Sequence, residues 1–230
     1  ALRHVATHAG VSAPELMAYK LPYTTVNAMT PRLTWPEVKK VIATGAKTEL
    51  EKAAKDVFLL CCFSGLRIDD ILHPIDNEIH ASYYRAIMRK TKKEVFVTRH
   101  KHNENLFSLV GKIRFTRQRL SDGLDNVLQR AGLTNDVTII RNVGPRQEVV
   151  QVPKFKAIAF HSGRRFYSRL LNDLGLGNEI ARDELGHSFK SVTELYAGSP
   201  EHALRIARVR TAMQAMEKKM TALSVLMKVA

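Results

Sequence analysis

The sequence predicts a mainly α-helical protein with small antiparallel β-hairpins, an α+β architecture. Beyond residue 33, most of the chain places apolar residues at helical spacing. Two stretches, 78–98 and 136–153, instead contain short runs of β-branched and aromatic residues on either side of a turn. We therefore expect two hairpins among the helices.

The first three helices are predicted from their end signals. In "LTWPEVKKVIAT", Thr34 can cap a helix and Glu37 follows it by three residues, as in a capping box. A second helix, from about Glu49 to Ser64, ends at Gly65. The segment "GLRIDDIL" then predicts a short helix, so Arg67 is expected at a junction between two helices.

The middle of the chain combines hairpins with a basic helix. The pieces "EIHASYYRAIMRK" and "EVFVTRH", joined by the basic turn "KTKK", predict the first hairpin. Residues 110–133 predict an amphipathic helix with a break near Asp122-Gly123. The second hairpin is predicted to turn at Val143-Gly144-Pro145, and the chain from His161 onwards is predicted to be helical.

The last segment, 200–230, contains a heptad seam, in which apolar residues alternate three and four positions apart. Such a helix can lie on its own domain or dock on another protomer, and the pattern favours neither arrangement. The members of the seam are Ile206, Val209, Met213, Met216, Met220, Leu223 and Met227.

Charge is the most informative bulk property of the chain. Lys and Arg outnumber Asp and Glu by 36 to 22, which gives a formal net charge of +14. A positive field of this size attracts polyanions, so nucleic acid is the expected partner. No apolar run reaches the roughly 18 residues of a spanning helix, and the first residues lack the apolar stretch of a signal peptide. We expect a soluble, intracellular protein without a membrane partner.

No pattern in the sequence indicates a metal or cofactor site. The two cysteines, Cys61 and Cys62, are adjacent within the apolar run "DVFLLCCFSG", as is typical of small buried residues. The nine histidines do not form a set with metal-ligand spacing. A carboxylate cluster of the kind that binds Mg²⁺ is also absent from the sequence, so we expect neither a metal nor a cofactor.

A His and an Arg three positions apart indicate an anion site. In "HSGRRFYSRLL", His161 and Arg164 fall at a predicted helix start, so both side chains can face one way. A helix N-terminus with these side chains can bind an anionic oxygen, and Arg67 could add a second guanidinium. Arginines and histidine donors suit the negative charge of a phosphodiester in its transition state. A nucleophile and a proton donor are then needed, and Tyr196 and Lys90 are candidates.

Three ordered blocks make the sequence similar to the tyrosine recombinase (phage integrase) family. The blocks "SGLRIDDIL", "HSGRRF" and "LGHSFKSVTELYAG" resemble the family's Arg block, its H-x-x-R block and its L-G-H block with a Tyr nine residues beyond the His. The family's acidic residue, three positions after the first Arg, corresponds to Asp70. The turn "RKTKKE" is similar to the family's basic hairpin turn, with Lys90 as the catalytic lysine and Lys92 and Lys93 as rival assignments.

The resemblance implies a catalytic mechanism that needs no metal or nucleotide cofactor. By analogy with the family, the tyrosine attacks the scissile phosphate to form a covalent 3′-phosphotyrosine, and a 5′-hydroxyl of the partner strand then attacks that linkage. Two arginines and one histidine would hold the phosphate, a second histidine would transfer or orient a proton, and the lysine would be the general acid. The implied set is Arg67, Lys90, His161, Arg164, His187 and Tyr196.

The resemblance also implies a domain organisation and partners. Residues 33–199 would form the catalytic domain, residues 1–32 a linker or the remnant of an N-terminal core-binding domain, and residues 200–230 a helical tail that can be exchanged between protomers. The partners would be double-stranded DNA recombination sites, other copies of the chain in a tetramer, and accessory DNA-bending proteins. The source would be a bacterium or a phage, with the protein in the cytoplasm or at the nucleoid.

The expected function is therefore site-specific recombination, for the integration or excision of a mobile element. A type IB-like DNA topoisomerase and a non-catalytic DNA-binding regulator with the same fold remain alternatives. An RNA-binding module is disfavoured because the sequence lacks an aromatic platform. Further basic residues are expected to contact DNA, chiefly its phosphates: Lys92, Lys93, Arg114, Arg117, Arg119 and Arg165.

Overall fold

A central buried helix organises the core of the molecule, which a computed structural model describes for residues 31–143, 146–186, 200–220 and 222. Helix α1 (Trp35–Ala43) begins after Thr34, whose N–H and hydroxyl both donate to Oε2 of Glu37, at 2.8 and 2.9 Å. Helix α2 (Glu49–Ser64) follows, and residues 57–64 are buried on every side of it. Helix α1 begins where the sequence predicts, and α2 both begins and ends as predicted. The two adjacent cysteines lie in the buried half of α2.

Gly65 ends α2 in the left-handed conformation, with a φ of 67°. The chain then passes through Arg67, which caps the short helix α3 (Ile68–Leu72). This arrangement confirms the prediction that Arg67 lies at a helix junction.

The first predicted hairpin is part of a three-stranded antiparallel sheet with the strand order β1-β2-β3. The segment predicted as a single strand divides into β1 (Asn77–Ile79) and β2 (Tyr83–Ile87), with a turn between them. Strand β3 (Glu94–Thr98) pairs with β2, and Ile87 lies opposite Glu94. Residues 88–93 therefore form the lysine-rich turn of the β2-β3 hairpin.

The predicted break at Asp122-Gly123 is wrong. After a 3-10 turn (Phe107–Leu109), helix α4 (Arg117–Arg130) runs through both residues without interruption. A Cβ on Gly123 would lie 3.1 Å from Cγ of Leu50 and 3.2 Å from its carbonyl oxygen. The glycine thus allows α4 to approach α2 closely and does not end a helix.

The second predicted hairpin is confirmed as the strands β4 (Asp136–Val143) and β5 (Arg146–Pro153), which pair in antiparallel register. Its predicted turn at Gly144-Pro145 lies outside the described residues. The short helix α5 (Lys154–Ala157) connects β5 to helix α6 (Phe160–Asp173). Helix α6 packs against the buried part of α2, where Gly163 lies directly on the two cysteines.

Two further helices complete the described chain. Helix α7 (Gly177–Glu184) ends beside β3, and helix α8 (Pro200–Gln214) lies across the same strand. Val209, Met213 and Met216 are fully buried in the domain's own core, so this part of the heptad seam packs within the chain. Exchange of the tail between protomers stays a prediction, and Leu223 and Met227 lie outside the described residues. Among the described helices, none is long and apolar enough to cross a membrane.

Candidate active site

The Arg67 junction lies where three elements meet. A Cβ added to Gly65 would be 2.4 Å from Cδ2 of Leu185 and 2.8 Å from Cδ1 of Tyr167. Only glycine fits between these side chains, and only glycine adopts its left-handed backbone without strain. The chain after α2 is therefore pressed against α6 and the residues that follow α7, and this contact brings Arg67 close to the first turn of α6.

Arg164 is buried at this junction and joins two of its backbone segments. Its Nη1 donates to the carbonyl of Gly65, and its Nη2 donates to the carbonyl of Leu185 at 2.7 Å. Only 4% of the residue is exposed. Burial, with a smaller contribution from the positive charge of Arg67, lowers the pKa of Arg164 to about 10. The guanidinium therefore stays charged at neutral pH but is held in one orientation.

His161 lies one turn earlier on α6 and is exposed to solvent. Partial burial of its ring lowers its pKa, and four positive charges lower it further. In order of effect, the charges belong to Arg165, Arg164, Arg67 and Arg117. These four guanidinium groups therefore lie close enough to the imidazole to disfavour its charged form. Such a concentration of positive charge at a helix N-terminus is suited to binding an anion with several oxygen atoms.

Asp70 joins the lysine-rich turn to the same junction. Its Oδ1 accepts a hydrogen bond from the N–H of Arg89 at 2.7 Å, and its Oδ2 lies 3.9 Å from Nη1 of Arg67. The side chain of Arg89 adds a bond to the carbonyl of His73 at 2.9 Å. One buried carboxylate thus binds the first arginine block to the residue that precedes Lys90.

The three lysines of the turn are placed differently. Lys90 and Lys92 are exposed, and Lys93 is half-buried. Lys92 has a φ of 56°, and its N–H donates to the carbonyl of Met88 at 2.8 Å, so it lies at the tight point of the loop. Lys90 directly follows Arg89, whose N–H donates to Asp70, and its assignment as the catalytic lysine over Lys92 and Lys93 stays a prediction.

The L-G-H block begins against β3. A Cβ on Gly186, whose φ is 65°, would be 2.5 Å from Cγ1 of Val95. Glu184, two residues before Gly186, is 1% exposed and accepts hydrogen bonds from the Thr98 N–H at 3.0 Å and from the Thr98 hydroxyl at 2.7 Å. The chain therefore reaches His187 from a fixed position beside the β2-β3 hairpin. His187 and Tyr196 themselves lie outside the described residues.

The other expected DNA contacts divide into two groups. Arg117 and Arg165 are exposed and lie close enough to lower the pKa of His161. Arg114 and Arg119 are exposed near the start of α4, where the Arg119 guanidinium lies 5.4 Å from the centre of the Phe115 ring. Within the described ranges, no group of three or more His, Cys, Asp or Glu side chains could hold a metal ion.

Solved structures with the same architecture are tyrosine recombinases. A lambda integrase tetramer bound to a Holliday junction has a TM-score of 0.51 and 17% identity, over 86% of this chain and 57% of that chain. A lambda integrase(75-356) dimer bound to a COC′ core site has a TM-score of 0.50 and 16% identity, over 86% of this chain and 71% of that one. The chain has the catalytic-domain fold of the tyrosine recombinases. Neither a family model nor a curated protein matches the sequence.

The tyrosine-recombinase fold confirms the fold class expected from the sequence, mainly helical with small antiparallel sheets. The chain spans 57% of the integrase chain in the tetramer structure. The sequence did not predict two buried contacts to β3, those of Glu184 with Thr98 and of Arg205, whose Nη2 donates to the Phe96 carbonyl at 3.1 Å. A signal for Glu184 exists in the sequence, because helical spacing places this carboxylate on the same face as the apolar residues Ile180 and Ala181.

Proposed function

We propose that this chain is the catalytic part of a site-specific DNA recombinase, which cuts and rejoins DNA strands to integrate or excise a mobile element. The observation that supports the proposal most directly is the junction at which buried Arg164 donates to the carbonyls of Gly65 and Leu185, while Asp70 joins Arg67 to the lysine-rich turn. A net charge of +14 supplies the long-range attraction to DNA that such a site needs.

The proposed cleavage step is a transesterification at one phosphodiester. The phenolic oxygen of Tyr196 attacks phosphorus, the bond from phosphorus to the 5′-oxygen breaks, and a 3′-phosphotyrosine forms. Lys90 gives its proton to the departing 5′-oxygen. His161, which its lowered pKa keeps neutral at pH 7, accepts or orients the proton of the phenol. No bond energy is lost to water, so the reverse attack by a 5′-hydroxyl rejoins a strand.

Arginine geometry supports the role of phosphate binding. The two carbonyl bonds of Arg164 fix its guanidinium plane before DNA arrives, and a preorganised donor costs little reorganisation during the reaction. Arg67 and, from outside the described residues, His187 would complete the set of phosphate donors. Lys92, Lys93, Arg114, Arg117, Arg119 and Arg165 would contact neighbouring DNA.

The proposed partners are double-stranded recombination sites and other copies of the chain in a tetramer. The two integrase structures support this proposal because both are oligomers bound to DNA: one is a tetramer bound to a Holliday junction and the other is a dimer bound to a core site. Accessory DNA-bending proteins would set the direction of the reaction.

Covalent capture of DNA tests the proposal. A labelled duplex with a nick next to the candidate cleavage site loses a short strand after cleavage, so the adduct accumulates and migrates slowly on a denaturing gel. We expect an adduct with the unaltered protein and none with Tyr196→Phe. Tyr84→Phe is the matched control, because the Tyr84 hydroxyl has no hydrogen-bond partner among the described residues and lies in the core.

A second assay separates recombination from DNA relaxation. If the protein forms an adduct, joining of two marked duplexes that share a site supports a recombinase. Relaxation of any supercoiled plasmid, without a sequence requirement and without strand exchange, would instead indicate a type IB-like topoisomerase. DNA binding without an adduct on any tested duplex would indicate a non-catalytic regulator.

A further inference from the structure

The outer edge of strand β3 is completed by side chains. The N–H of Arg99 donates to the carbonyl of Ser82 at 2.9 Å, which fixes the hydrogen-bonding pattern of the strand. The backbone N–H and C=O groups of its odd-numbered residues bond to β2, and those of its even-numbered residues point away from β2. On that outer edge, the Thr98 N–H donates to Glu184 at 3.0 Å, and the Phe96 carbonyl accepts from Nη2 of Arg205 at 3.1 Å. Two consecutive outward-facing positions are therefore bonded to two different helices.

Glu184 is the last residue of α7, and three donors hold its carboxylate. Besides the Thr98 N–H, the Thr98 hydroxyl donates at 2.7 Å and the Tyr167 hydroxyl at 3.2 Å. A carboxylate that is 1% exposed is costly unless donors of this kind surround it. The arrangement therefore fixes the end of α7 to both β3 and α6.

Arg205 lies in the second turn of α8 and is 7% exposed. Its Nη2 also lies 3.1 Å from Nδ1 of His202, whose ring stands edge-on to the rings of Tyr83 and Phe96, with centroids 5.3 and 5.1 Å away. The hydrogen bond of this buried guanidinium to one strand carbonyl fixes the position of α8 along the direction of β3. The aromatic contacts of His202 set its rotation.

We propose that Glu184 and Arg205, the edge anchors, are positioning residues that fix the chain on either side of segment 187–199, at residues 184 and 205, to the outer edge of β3. This inference rests on the proposed function, because the segment matters for catalysis through Tyr196. Strand β3 begins immediately after the lysine-rich turn. Strand β3 would thus position both the turn that carries Lys90 and the residues that flank the segment of Tyr196. Neither Glu184 nor Arg205 would touch DNA.

The test compares disruptive and conservative variants of each anchor. Glu184→Met and Arg205→Met remove the bonds to the strand edge. Met has the length of Glu and replaces the apolar stem of Arg, whereas Glu184→Gln and Arg205→Lys keep an acceptor or a donor there. Glu201→Met is the matched control, since Glu201 is an exposed residue in the first turn of α8. Two quantities are measured: amide hydrogen exchange in peptides covering residues 96–98, 180–186 and 201–206, and the rate of covalent adduct formation at saturating DNA.

We expect both Met variants to raise exchange in these peptides at least about fivefold and to slow adduct formation at least about tenfold, with DNA affinity unchanged. The Gln and Lys variants should show exchange and adduct rates close to those of the unaltered protein, and the Glu201→Met control should match it in both. Unchanged exchange in the Met variants would overturn the proposed anchors. Raised exchange with an unchanged adduct rate would overturn their role in positioning the nucleophile.

Failure of the proposed function gives a different result. If the unaltered protein forms no adduct, recombinase activity is contradicted, and the exchange measurements, which need no DNA, still decide whether Glu184 and Arg205 fix the chain on either side of the segment. If a Glu184 variant does not fold, Thr98→Val replaces it, because it removes the hydroxyl that donates to Glu184 and keeps the shape of the strand residue. Raised exchange at residues 180–186 is then expected, and unchanged exchange would overturn the anchor.

Discussion

Arg164 is the residue on which the proposed phosphate site most depends. Its guanidinium is buried and bonded to the carbonyls of Gly65 and Leu185, so it is an interior structural link as well as a charge. Lysine keeps the charge but has no planar fork and can bond only one carbonyl well. The consequences for stability and for catalysis can therefore be measured separately.

We expect Arg164→Lys to lower the free energy of unfolding by about 1–3 kcal/mol, because one buried carbonyl loses its donor. Adduct formation should slow about 100-fold, since a fixed charge donor is lost from the transition state. Urea denaturation and the denaturing-gel assay measure the two effects. Arg169→Lys is the control, since Arg169 is on the same helix, partly exposed and paired with Asp173 at 3.6 Å. Equal losses in both variants would contradict a special role for Arg164.

A second residue-scale expectation concerns pH. Burial, with a smaller effect from His102, lowers the pKa of His100 to about 3. Between pH 6.5 and 3 the unfolded chain binds a proton there and the folded chain does not, so this histidine makes stability fall as pH falls, by up to about 1.4 kcal/mol per pH unit. His100→Gln should make the fall between pH 6 and 4 shallower by about 1 kcal/mol per unit. Denaturant unfolding across that range measures it, and an unchanged slope would contradict the assignment.

At the scale of elements, Asp70 connects helix α3 to the β2-β3 hairpin. The bond from the Arg89 N–H sets the position of the lysine-rich turn, while the opposing charge of Arg67 at 3.9 Å adds an electrostatic contribution. An asparagine at position 70 can still accept the hydrogen bond from the Arg89 N–H but has no charge to attract Arg67. Alanine removes both.

We therefore expect Asp70→Ala to raise amide exchange in a peptide covering residues 88–93 and to slow adduct formation more than tenfold. Asp70→Asn should leave exchange near that of the unaltered protein and slow the adduct less. Hydrogen exchange by mass spectrometry and the gel assay give the two values. Identical exchange in the two variants would show that Asp70 does not hold the turn.

Elements also show what the sequence could and could not predict. Thr34 and Gly65 mark helix ends through local geometry, so the ends of α1 and α2 were predictable. Gly123 looked like a break, but its role depends on Leu50 of another helix. Glu184, Arg205 and the buried orientation of Arg164 likewise depend on contacts between distant segments, which spacing along the chain does not encode.

At the scale of the whole molecule, a net charge of +14 predicts that the proposed binding to DNA weakens as the salt concentration rises. Arg117→Gln should reduce the slope of log K against log salt by about one, because one phosphate contact is lost. Lys52→Gln is matched to it: the Arg117 and Lys52 side chains are 64% and 61% exposed, and each pairs with one Asp. Lys52 lies in the first turn of α2, at the end opposite Gly65. The Lys52→Gln variant should therefore have the same slope as the unaltered protein. Fluorescence anisotropy measures both, and equal slopes would contradict a contact at Arg117.

The fold also assembles blocks that are far apart in the chain. Residues 65–70, 88–93, 161–165 and 184–186 meet through Gly65, Asp70, Arg164 and Glu184. The order of the blocks in the sequence predicted the fold. The contacts that hold the blocks together became evident only from the structure.

The central claim is that these blocks form one phosphate site at which Tyr196 is the nucleophile. Tandem mass spectrometry of the protease-digested adduct tests it most directly. We expect a single modified peptide, with the 3′-phosphate of the DNA strand on the oxygen of Tyr196 and a free 5′-hydroxyl on the released strand. An adduct on any other residue, or one linked through a 5′-phosphate, would contradict the account.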